Sequence, residues 1–95
     1  MIISMMQILF EIPNPESIKD KRRIVKSLTE KLRGRFRLSA AEVDLNNSLS
    51  FAHIGAALVS NSRIFGESVL NKAFKMIENE GTLRIQDVKI YSEEF

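Results

Sequence analysis

From Ile2 to Ile12 apolar and polar positions alternate. Ile2, Met6, Ile8, Phe10 and Ile12 share one parity, whereas Gln7 and Glu11 fall on the other. A period of two predicts a strand with one buried face. Pro13 ends it, and Pro13-Asn14-Pro15 fixes a turn. Ser17 followed by Asp20 has the spacing of a capping box, which predicts a helix from about Ile18. Ile24, Val25, Leu28 and Leu32 then fall within about 100° of arc as its core-facing stripe, and Gly34 is the expected stop.

Phe36, Leu38 and Ala40 alternate before Val43 falls out of phase, so a second strand is expected over 36–44 with a bulge near Ala41. Leu45-Asn46-Asn47-Ser48 supplies turn residues, and Phe51–Ser60 reads as a strand of small residues. Ser60-Asn61-Ser62 offers N-caps for a second helix. Its expected buried stripe is Val69, Leu70, Ala73, Phe74 and Ile77, with Gly66 on the same face allowing a close approach to the sheet. After Gly81, Leu83, Ile85, Val88 and Ile90 predict a last strand whose phase changes at Gln86-Asp87.

The order βαββαβ predicts one α+β domain spanning residues 1–95, a ferredoxin-like sandwich with a four-stranded antiparallel sheet and both helices on one face. The uncovered face would carry Ile3, Met5 and Leu9 beside Gln7 and Glu11. Such apolar surface favours an interface, so a homo-oligomer, first a dimer, is expected through this face or an edge strand. The alternative cover is the tail, Tyr91 to Phe95.

Composition narrows the chemistry. With 44% apolar and 27% charged residues the chain is an ordinary globular protein, and at 95 residues it has no inter-domain cleft. The absence of Cys removes disulfides, thiolate nucleophiles and Cys-based zinc sites, which fits the cytoplasm. MIISMMQILF lacks the pattern of a signal peptide or membrane span, so no membrane association is expected.

Charge is concentrated in KDKRRIVKSLTEKLRGRFR, residues 19–37, which hold nine Lys and Arg against Asp20 and Glu30, a net +7. The remaining 76 residues hold five cations and ten acids, a net −5. On the wheel, Lys19, Arg22, Arg23, Lys26 and Arg33 fall within about 100° of arc opposite the apolar stripe, with Glu30 as the single acid among them. Solvation alone would select that side. Yet Lys19 and Lys21 lie at a helix start, where the dipole makes a cation unfavourable by about 0.3–1 kcal/mol. A polyanion such as RNA is therefore the candidate partner, bound through its backbone because the segment lacks interleaved aromatics. A phosphate held at the helix start by Lys19 or Lys21 is disfavoured, because Ser17 and Asp20 already serve the free amides.

Three further chemistries are weighed. An RNA-recognition motif needs stacking aromatics that FAHIGAALV lacks, and an acylphosphatase-like loop needs glycines where this chain has PNPES. Glu42 and Asp44 are two apart on a strand and so are expected on one side, within reach of His53. A hydrolase built on these three is the remote alternative, and with one His and no Cys no transition-metal site and no cofactor are expected.

Ser17-Ile18-Lys19-Asp20-Lys21-Arg22-Arg23-Ile24-Val25, Ala41-Glu42-Val43-Asp44, and Gly55 with Val59-Ser60-Asn61 resemble the YlxP-like family of small bacterial proteins. The resemblance spans nearly the whole chain and implies a ferredoxin-like fold and an unknown biochemical function. It also implies gene neighbourhoods shared with translation and ribosome-maturation factors. Lys19, Lys21, Arg22, Glu42 and Asp44 match the family's pattern, and none is implied to be catalytic. After Asp44 the family continues with a His, another acid and a Trp, where this chain has Leu45, Asn46, Asn47 and Leu49. The expectation is thus a non-enzymatic, cytoplasmic protein that binds RNA or ribonucleoprotein through its first helix, or alternatively an assembly module with no nucleic-acid role.

Overall fold

A computed structural model describes all 95 residues. The elements are β1 (Ile2–Glu11), α1 (Ile18–Phe36), β2 (Ser39–Asp44), β3 (Phe51–Ser60), α2 (Arg63–Glu78) and β4 (Arg84–Glu94). The strands form one antiparallel sheet in the order β2-β3-β1-β4, an α+β ferredoxin-like arrangement. Both helices lie on the same face, α1 over β2 and β3, α2 mainly over β1 and β4.

The alternation in β1 becomes burial directly. Ile2, Met6, Ile8, Phe10 and Ile12 are buried under the helices, and the intervening residues are half-exposed on the open face. Leu28 and Leu32 of α1, Leu70, Ala73 and Ile77 of α2, and Ile54 of β3 complete the core. Each fully buried large side chain contributes about 1.5–3 kcal/mol by leaving water.

Both predicted N-caps form, but Asp20 does not close the expected capping box, its carboxylate pairing with Arg23 instead. Ser17 Oγ accepts from Asp20 N at 3.2 Å and Ser62 Oγ from Phe65 N at 3.1 Å, each contributing about 1 kcal/mol. Gly66 is buried against β1, where an added Cβ would come within 2.8 Å of Ser4 Cβ. That close approach accommodates a polar chain under α2. Ser92 Oγ donates to Glu67 Oε2 at 2.5 Å, which leaves the Ser4 hydroxyl to donate to Ser92 Oγ at 2.8 Å.

Four local expectations change. Helix α1 runs two residues past Gly34, which the helix tolerates despite its cost, and stops at Arg37 in the left-handed region (φ 56°, ψ 39°). The amides of Arg37 and Leu38 both turn back to Leu32 O, which lets Leu38 enter the core. Phe36 consequently belongs to the helix, and β2 begins only at Ser39. The bulge in β2 falls at Val43, between Glu42 and Asp44, rather than near Ala41. Val43 packs over Gly55, which has no side chain to obstruct it. In β4 the phase change falls as expected, with Asp87 opposite Leu9 and Ile85 opposite Phe10, so Gln86 is the extra residue. The tail does not cover the open face: residues through Glu94 extend β4 along β1.

Candidate nucleic-acid interface

Helix α1 divides its charges between two sides. Lys21 lies on the same stripe as Val25, Leu28 and Leu32 and is fully buried with them. Its Nζ donates to Leu45 O at 2.5 Å and lies 3.0 Å from Glu42 Oε2, an ion pair without an aligned hydrogen bond. Leu45 occupies the left-handed region (φ 62°), and its carbonyl also accepts from Ser48 N at 2.9 Å. One buried ammonium therefore ties α1 to the end of β2 and to the turn that follows. Lys21 and Glu42, two residues that carry the sequence resemblance, serve the fold here. Lys21 is consequently not available to hold a phosphate at the helix start.

Lys19, Arg22, Arg23 and Lys26 are exposed on the other side of α1. Arg23 reaches Asp20 at 3.4 Å and Lys26 reaches Glu30 at 4.0 Å, both at the surface. Exposed pairs of this kind are worth about 0–1 kcal/mol and yield readily to a competing anion. Lys19 and Arg22 make no ion pair or side-chain hydrogen bond within the protein. Arg33 continues the exposed side, but its Nε and Nη2 donate to Ala40 O at 3.1 and 2.6 Å. It ties α1 to β2 with part of its guanidinium and offers the rest to solvent. Two unpaired cations, two in weak surface pairs and one tethered to Ala40 thus line the helix back.

The open sheet face separates the three residues considered for an interface. Met5 borders a shallow trough of about 390 Å³ floored by Ser39, Ala41, Gly55 and Ala57. Ile3 lines a second groove at the end of the sheet, while Leu9 sits among Gln7, His53, Asp87 and Lys89. Across the middle His53 Nε2 donates to Gln7 Oε1 at 3.0 Å and Gln7 Nε2 to Tyr91 Oη at 3.4 Å. This polar line divides an apolar half of the face from a charged half.

Glu42, Asp44 and His53 do not meet as expected. The bulge at Val43 leaves Glu42 opposite Ile54, on the helix-covered face with Lys21, and brings Asp44 opposite His53. Asp44 Oδ1 instead accepts from Leu45 N at 2.7 Å. No three His, Cys, Asp or Glu side chains gather anywhere in the chain. The sequence contained one unused signal for the buried lysine. Lys21 precedes Val25 by four and Leu28 by seven, the spacing of the core stripe itself.

No helix is long and apolar enough to cross a membrane. No curated protein matches the chain. The model of a family described as a protein of unknown function, DUF503, matches residues 3–90, which takes in every element described above except Ile2 of β1 and the last four residues of β4. With all but the two ends of the chain matched, the protein belongs to the DUF503 family.

Proposed function

We propose that the protein is a non-catalytic RNA- or ribonucleoprotein-binding factor that engages the phosphate backbone through the exposed side of α1. The observation that carries this reading is the division of charge on that helix. The fold uses Lys21 internally and Arg33 in part, holds Arg23 and Lys26 only in weak surface pairs with Asp20 and Glu30, and leaves Lys19 and Arg22 unpaired. Cations crowded together with few or weak partners repel one another, and a polyanion relieves that repulsion. At 1.5 Å per residue the row from Lys19 to Arg33 runs about 21 Å, enough to meet several successive phosphates. The YlxP-like resemblance, with its translation-linked gene neighbourhoods, favours the same partner.

Without stacking aromatics on this surface, binding is electrostatic and tolerant of sequence. Four contacts to single-stranded RNA give a slope of log affinity against log salt of about −3. Fluorescence anisotropy of a labelled RNA oligonucleotide, titrated at several salt concentrations, measures it. Absence of binding at about 50 mM salt would contradict the proposal.

A further inference from the structure

The five most exposed large apolar side chains are Met1 (61%), Val59 (64%), Ile64 (85%), Phe65 (58%) and Phe95 (66%). Scattered singly, such residues need no explanation. Here they share one end of the molecule. Ile2 pairs with both Ser60 and Glu94, Phe95 N donates to Met1 O at 2.8 Å, and α2 begins three residues after Ser60. The same end holds a groove of about 450 Å³ lined by Ile3, Phe36, Arg37, Val59, Phe65 and Val69. It exists because β2 starts opposite Ala57, leaving Leu58 and Val59 of β3 without a β2 neighbour.

Charge around this apolar patch is arranged in two opposed groups. Arg35 and Arg37 finish α1 at the β2 edge. Glu93 and Glu94 finish β4 at the other edge, three strand spacings or about 14 Å away. Arg63, which donates to Ser92 O at 2.7 Å, and the Met1 ammonium, which donates to Phe95 O at 3.0 Å, are the cations on the acidic side. A surface with a basic flank, an apolar centre and an acidic flank is complementary to itself under a two-fold rotation. An anionic lipid surface would instead be repelled by Glu93 and Glu94.

We infer that this end of the sheet docks a second copy of the chain about a two-fold axis. Phe95 of each copy enters the other's groove beside Phe36 and Phe65. Glu93 and Glu94 of each face Arg35 and Arg37 of the other. The trough beside Met5 and the basic side of α1 take no part in this contact.

Sedimentation equilibrium and charge reversal test it. The wild-type protein is expected at twice its 10.8 kDa chain mass. Arg35→Glu with Arg37→Glu sets acid against acid, and Glu93→Arg with Glu94→Arg sets base against base. Each double variant alone is expected to dimerise about 100-fold more weakly. An equimolar mixture of the two restores opposite charges at both contacts and is expected to return the dimer, a result that a misfolded variant would not give. Phe95→Ala is expected to weaken the wild-type dimer about tenfold. A monomeric wild type, or a mixture that stays monomeric, would overturn the inference. So would a dimer that survives both reversals and is lost on Met5→Asp, which would place the contact on the open face.

Discussion

Lys21 points into the sheet, and Arg22, one residue and about 100° further round α1, points into water. The inward cation is matched by a carboxylate and a carbonyl, Glu42 and Leu45, on the structure it packs against. The outward one has no such partner. The glycines of the helical layer divide the same way. Gly66 is pressed against Ser4, while Gly34 has nothing within 4 Å of the place where a Cβ would stand. Inside the layer each group is fixed by what it touches. On its back Lys19 and Arg22 have no partner and Arg23 and Lys26 only weak surface ones, and the proposed RNA contact rests on that charge.

Substitutions on the two sides should therefore separate widely in urea-denaturation midpoints. Lys21→Ala is expected to cost the most, about 3–5 kcal/mol, because it leaves the Glu42 carboxylate poorly solvated and without its partner. Replacing both partners, Lys21→Met with Glu42→Leu, should recover most of that loss. If Lys21→Ala is instead neutral, the inward lysine is not the tie described here. Gly66→Ala should cost about 1–3 kcal/mol through overpacking against Ser4. Gly34→Ala, on the open side, should stabilise by about 0.5–1 kcal/mol, since it removes a helix-interior glycine without creating a clash. Smallest of all, Arg22→Ala should move stability by less than about 0.5 kcal/mol. A large loss there would give the outward cations a structural role and undo the comparison.

Much of the architecture was legible wherever a local rule agreed with the tertiary demand. The β1 alternation, the Ser17 and Ser62 caps, the close approach at Gly66 and the extra residue at Gln86 all stand where sequence pattern places them. Misreadings arose where one residue's role depended on a distant one. Gly34 suggested a stop, but the end of α1 is set by the need to bring Leu38 into the core after Arg37 turns the chain. The bulge moved to Val43 because Gly55 on the next strand offers it space. Glu42 and Asp44 looked like a pair at a spacing of two, and that one bulge assigns them to different faces. The basic segment was legible as charge but not as geometry. Composition counts Lys21 with its neighbours, whereas the wheel position that buries it becomes decisive only once Glu42 and Leu45 are seen across the interface.

The most direct test of the proposed function compares RNA affinity of the wild type with that of Arg22→Glu, Arg23→Glu, Lys26→Glu at about 50 mM salt, beside the unfolding midpoint of each. The account predicts that the triple variant keeps nearly the wild-type midpoint, because none of the three side chains touches the core, and loses measurable binding. Equal affinity for RNA in the two proteins would contradict it.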